Sequence, residues 1–145
     1  MPKKRAKKGG GLDKKWVLLL GRVLIAVLFL ATGWQKLSGL AAAAETLKKT
    51  NVPLASEWLA GVLGVIAVVA GLAILVGWYT RASAIVMAVY FALVTWFVHL
   101  APAWKMTAGD GRSAEIMNVL LGLALLGSML LLTVTGPGRI SRDKR

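Results

Sequence analysis

Four apolar stretches, each about as long as a bilayer is thick, constrain this chain more than any other feature. A helix needs about 20 apolar residues to cross a hydrocarbon core about 30 Å thick. The stretches fall at about residues 16–37, 57–79, 82–104 and 114–136. No charged residue occurs from Trp58 to Tyr79 or from Ile116 to Gly138, and from Ala82 to Trp104 the ionisable group is His99. The first stretch carries Arg22 near its start and Lys36 near its end. Both side chains are long enough to snorkel to the headgroups, and the residues from Val23 to Trp34 are uncharged. A backbone inside hydrocarbon must satisfy its own polar groups, which a helix does within one segment. The expected fold is therefore all-α, a transmembrane four-helix bundle.

At 145 residues the chain is about one domain long, and its 57% hydrophobic content exceeds that of an ordinary soluble domain. Its net charge of +12 is concentrated at the two ends. The expected plan is a flexible polybasic tail over residues 1–15, a membrane domain over 16–138 and a basic tail over 139–145. The first tail precedes an apolar run too long for a signal-peptide core, with no small-residue cleavage pattern after it, so the run is expected to be retained as the first helix. The tail has no aromatic residue before Trp16 to stack on bases. Nucleic acid is accordingly not an expected partner, and anionic lipid is.

Orientation follows from the short flanks. With four spans, the side shared by both termini and by Arg81 holds thirteen Lys and Arg residues, and the other side holds five: Lys36, Lys48, Lys49, Lys105 and Arg112. The positive-inside rule places both termini in the cytoplasm of a bacterial or archaeal cell, with the chain in its cytoplasmic membrane. Trp16, Trp34, Trp58, Trp78, Tyr79 and Trp104 lie at the expected span ends, where amphipathic rings anchor at the interface.

The connections differ in character. A tight turn over Trp78–Ala82 makes the second and third spans antiparallel neighbours. Between the first two spans, GLAAAAETLKK is rich in helix formers yet too short and charged to cross, which predicts an interfacial helix ending near Thr50 and Asn51. Asp110 between glycines marks the last turn, and Ser113 is placed to cap the fourth helix. Small-residue pairs at Ala60/Gly64 and Ala67/Gly71 in span two, and at Ala124/Ser128 in span four, are expected at helix contacts.

Several segments together resemble one known family. They are GRVLIAVLFLATGWQKL at 21–37, GLAILVGWYTRASAIV at 71–86, HLAP at 99–102, Glu115 ahead of span four and GPGRISRD at 136–143. In order and spacing they are similar to the DoxX family of small four-span membrane proteins, over about residues 20–143. Many relatives carry a glutamate in span two, where this chain has Ala67, with Ala70 and Gly71 in place of a following glycine pair. The family takes its name from a subunit associated with a quinol oxidase and with thiosulfate:quinone oxidoreductase, and other members accompany redox enzymes. The resemblance implies an accessory or anchoring subunit of a quinone-linked electron-transfer complex, with other membrane subunits as partners.

The chain has no cysteine and one histidine. Thiolate metal sites, dithiol redox chemistry and bis-histidine haem ligation are thus excluded within it. It is not expected to be an enzyme on its own or to bind a cofactor or metal alone, though a quinone could lodge in it. Ionisable groups at membrane depth are the default functional candidates. Gln35 and Lys36 end span one at the outer side, His99 ends span three there, and Glu115 with Asn118 opens span four there. Glu115 and Asn118, three residues apart, share a helix face. This set is expected to form a polar cluster. It either satisfies itself at the interface or binds a quinone head or small anion, with His99 moving protons. Arg22 is expected either to reach lipid phosphate or to pin span one to a carbonyl or hydroxyl of a neighbouring helix. A transporter or channel is a third reading, disfavoured by unbroken spans without midplane charges.

Overall fold

A computed structural model describes residues 13–50, 52–106, 109, 111–138 and 140–143. Residues 1–12, Asn51, Thr107, Ala108, Asp110, Arg139, Lys144 and Arg145 lie outside the described residues, so the turn placed at Asp110 and most of the N-terminal tail are not addressed by it. The described residues are helical, in the order α1 (Lys14–Ser38), α2 (Leu40–Lys49), α3 (Glu57–Val76), α4 (Thr80–Val94), a π-helical segment (Thr95–Leu100), α5 (Ala101–Lys105) and α6 (Arg112–Thr135). Four helical runs are long and apolar enough to cross a membrane: α1, α3, the continuous run Thr80–Lys105, and α6.

The runs pack as two pairs, α1 on α3 and α4 on α6, joined where α3 meets α4. Close approach of α1 and α3 depends on glycine. A Cβ on Gly33 would stand 2.7 Å from Val68 Cγ2 and 2.9 Å from the Gly64 carbonyl, so neither residue could be larger without separating the helices. The pairs Ala60/Gly64 and Ala67/Gly71 lie buried in α3 as expected. Ala124/Ser128 does not form a helix contact: Ala124 is exposed, and the Ser128 hydroxyl bonds back to the Ala124 carbonyl at 2.8 Å. α6 instead packs through Gly122, Met129 and Leu132. The shared core joins Phe29, Ala67, Ala70, Ile74, Met87, Tyr90 and Met129, with the Ala67 methyl group buried in it.

Helix ends follow local chemistry. Ser56 caps α3 by accepting the Leu59 N–H at 3.2 Å. Gly77, with φ +75°, ends it in the left-handed conformation that glycine adopts without strain. Two residues, Trp78 and Tyr79, then suffice to reverse the chain into α4. Ser113 does not cap α6. The helix begins one residue earlier, behind Gly111 at φ +80°, which places Ser113 inside the first turn. The six anchoring aromatics, Trp16, Trp34, Trp58, Trp78, Tyr79 and Trp104, are all exposed at the ends of the runs.

The third run is continuous despite Pro102. A proline ring collides with the carbonyl four residues back, here that of Val98. Widening the preceding turn relieves this: Ala101 N–H bonds to the Trp96 carbonyl, five residues back. The π turn carries His99 and sets the side chains beyond it out of the α-helical register.

Candidate functional site

At one end of the bundle, α2 lies across the space between α1, α3 and the π segment. Its Ala44 and Leu47 bury against Ala60, with Leu63 and Val98 packed beside them, while Lys48 and Lys49 stay exposed. Glu45 and Lys49 pair at 2.7 Å on the exposed face, and this contact with Lys49 holds the Glu45 carboxyl below its ordinary range.

Beneath α2 is a cavity of about 560 Å³. Its walls are chiefly aliphatic, from Ala43, Leu47, Ala60, Leu63, Val94 and Val98, with polar groups of Gln35, Lys36, Ser38, Thr46 and His99. The His99 Nδ1 lies 2.8 Å from Glu115 Oε2, and the two side chains are 26% and 27% exposed. A carboxylate only accepts, so it holds the imidazole proton on Nδ1 and leaves Nε2 as the free ring nitrogen. Glu115 does not line the cavity; its charge stands behind the imidazole.

The sequence-expected cluster is thus partly assembled. Lys36 and His99 share the cavity, and Glu115 joins it through His99. Lys36 makes no hydrogen bond or ion pair among the described residues, so its expected pairing with Glu115 is not formed. Gln35 is exposed on the rim, and its carbonyl accepts the Gly39 N–H at 3.2 Å. Asn118 is half-buried on α6 and belongs neither to the cavity nor to the His99–Glu115 pair. Among the described residues no group of three His, Asp or Glu side chains could hold a metal.

Arg22 sits at the opposite end and resolves the choice left open by the sequence. It is 2% exposed and touches no solvent layer. Nε donates to the Ile74 carbonyl at 3.0 Å and Nη2 to that of Leu75 at 2.8 Å, both at the end of α3. Nη1 donates to the carbonyls of Pro137 at 2.6 Å and Ile140 at 2.8 Å. One guanidinium therefore binds four carbonyls of a helix end and of the segment after α6, of which that of Ile74 also accepts the Gly77 N–H. That segment returns across the bundle to α4. Asp143 accepts the N–H of Tyr79 at 2.9 Å and of Thr80 at 3.0 Å, and its own N–H donates to the Gly77 carbonyl at 2.8 Å. The Thr80 N–H keeps the Asp143 carboxyl below its ordinary range, against an opposing desolvation and with further help from the Tyr79 N–H.

Sequence reasoning missed three contributors. Asp143 closes the GPGRISRD segment, but nothing local shows that it caps α4. Pro102 was the signal for the π turn. The close fit of Thr95 to Gly122, where an added Cβ would collide with the Thr95 hydroxyl, had no signal at all.

Residues 17–100 match the DoxX family model, more than half of the chain. The chain belongs to the DoxX family. This DoxX-family chain is an integral membrane protein, as its four apolar runs require. It is similar to the inner membrane protein YphA of Escherichia coli K12, with 29% identity over 138 residues that cover 93% of this chain and 94% of the relative. It is also similar to the inner membrane protein YqjF of the same organism, with 30% identity over 130 residues covering 88% and 89%. No solved structure matches it. Of the segments that suggested the family in the sequence, 21–37, 71–86 and the first two residues of HLAP fall inside the matched region.

Proposed function

We propose that this protein is an accessory subunit of a quinone-linked electron-transfer complex in the cytoplasmic membrane, and that its cavity receives the quinone head. The observation that carries the reading is the cavity: an aliphatic chamber of head-group size beside α2, where an unpaired lysine and a carboxylate-backed histidine converge. Such a lining fits a ring with carbonyl oxygens. Lys36 and the His99 Nε2 would hold the oxygens, and Leu47, Leu63 and Val98 would pack against the ring. A bound quinone supplies two-electron, two-proton carrier chemistry. This chain has no cysteine and a single histidine, so the electrons would pass through a partner subunit.

The lysine and arginine bias supports both termini facing the cytoplasm and the cavity facing outward. The relatives described as inner membrane proteins support the same membrane. The exposed Lys14 and Lys15 would meet anionic headgroups there.

Mild-detergent isolation followed by mass spectrometry tests the assembly, with a co-purifying haem or flavin protein as the expected result. Isolation as a lone homo-oligomer would count against it. For the site, His99→Ala and Glu115→Gln are expected to assemble and to lower quinone-linked turnover of the purified complex. Unchanged turnover in both would remove the quinone role.

A further inference from the structure

Across the cavity the charge is one-sided. Lys36 lines it and is half-buried, with no hydrogen bond or ion pair among the described residues. No carboxylate is among the lining residues. Glu115 is engaged by His99 at 2.8 Å and lies outside the lining. An ammonium has three donors and no acceptor, so a ligand that satisfies it must bring acceptor oxygens. The opposite wall, from Leu47, Leu63 and Val94, offers apolar surface.

We infer that Lys36 is the specificity-determining residue of this cavity, selecting amphiphiles whose head presents acceptor oxygens, as carbonyl or phosphate, and rejecting cationic heads. The inference rests on the reading of the cavity as a ligand site and names its ligand class. A quinone and an anionic lipid headgroup share the chemistry, because each offers oxygen to the ammonium. Charge-assisted hydrogen bonds are the strong ones, and a buried cation facing a cationic head is repelled without screening by water. The Glu115 carboxylate is engaged by His99 and stands outside the lining, which leaves Lys36 as the discriminating group on the cavity wall.

The test is equilibrium binding to the full chain in nanodiscs, using decyl-quinone, dodecyl phosphate, dodecyltrimethylammonium and inorganic phosphate as probes. The wild type is expected to bind the first two at least about tenfold more tightly than the ammonium amphiphile. Lys36→Met should remove that preference, and Lys36→Glu should invert it, an outcome that mere loss of structure cannot produce. Absence of head preference in the wild type, or its persistence in Lys36→Met, overturns the inference. Lys36-independent binding of decyl-quinone would overturn it while leaving the quinone reading standing. Lys36-dependent binding of dodecyl phosphate without decyl-quinone would support it and remove the quinone reading. Competition by inorganic phosphate as strong as by dodecyl phosphate would overturn the amphiphile assignment.

Discussion

Helix α1 carries a cation toward each end, and the two have opposite surroundings. Arg22 has four of its five N–H donors taken up by carbonyls of its own chain at 2.6–3.0 Å. Lys36, about 21 Å along the same helix at 1.5 Å per residue, faces a chamber with no acceptor assigned to it. A guanidinium has a planar fork of five donors that suits several fixed carbonyls at once, whereas an ammonium is a compact charge suited to an exchangeable ligand. The difference teaches that cost alone does not mark function in a membrane protein. Both cations are expensive, but the one already satisfied by its own chain holds the fold, and the unsatisfied one is available for binding.

Arg22→Leu should break this contrast most severely. It takes the guanidinium from four buried or part-buried carbonyls, of which, among the described residues, only that of Ile74 keeps a further donor in the Gly77 N–H, and frees the segment after α6, so a loss of about 3 kcal/mol or more is expected. Thermal unfolding in detergent would read it as a fall of many degrees or as failure to accumulate in the membrane. Arg22→Lys, able to reach only some of the carbonyls, should fall between.

Asp143→Asn tests the same end more gently. The substitution keeps one acceptor oxygen for the Tyr79 and Thr80 N–H groups but removes the charge, and about 1 kcal/mol is expected, the usual scale of a helix cap. Because the folded state lowers the Asp143 pKa, its contribution is present above the unfolded value and is lost as pH falls through the folded value. Stability measured against pH should therefore differ between wild type and variant at neutral pH and converge in strong acid. A constant difference through the acid range would show that the charge is irrelevant.

At the Lys36 end the same measurement should barely respond. Lys36→Met removes a cation that stabilises no partner, so unfolding in detergent should shift by less than about 1 kcal/mol, in either direction. A large loss would make Lys36 a structural residue like Arg22 and erase the distinction between the two ends.

Much of the fold was readable before any coordinates. Apolar length forces a helix wherever hydrocarbon is the solvent, because the backbone has no other way to satisfy itself. The four runs, the interfacial helix over Leu40–Lys49 and the small residues of α3 follow from local properties of this kind. Ser113 misled because a cap depends on where the turn delivers the chain, and Gly111 reaches the left-handed region first. Ala124 and Ser128 misled because a small pair marks a contact only if a neighbour arrives. At the site, the sequence brought Lys36, His99 and Glu115 to one depth, but equal depth does not fix azimuth. The π turn ahead of Pro102 sets the direction of His99, and Asn118 was left apart.

What the sequence by itself determined was how each segment meets its solvent: which residues enter hydrocarbon, which stay in water, and which cations sit near the boundary. These are transfer properties of single segments and need no partner. Only the tertiary structure decided what the polar groups do. Arg22 finds acceptors 52 to 118 residues away, Asp143 finds its donors 63 and 64 residues away, and His99 finds Glu115 across a loop. A hydrogen bond has a short reach and a direction, so its partners are set by how the helices pack rather than by what each one is made of.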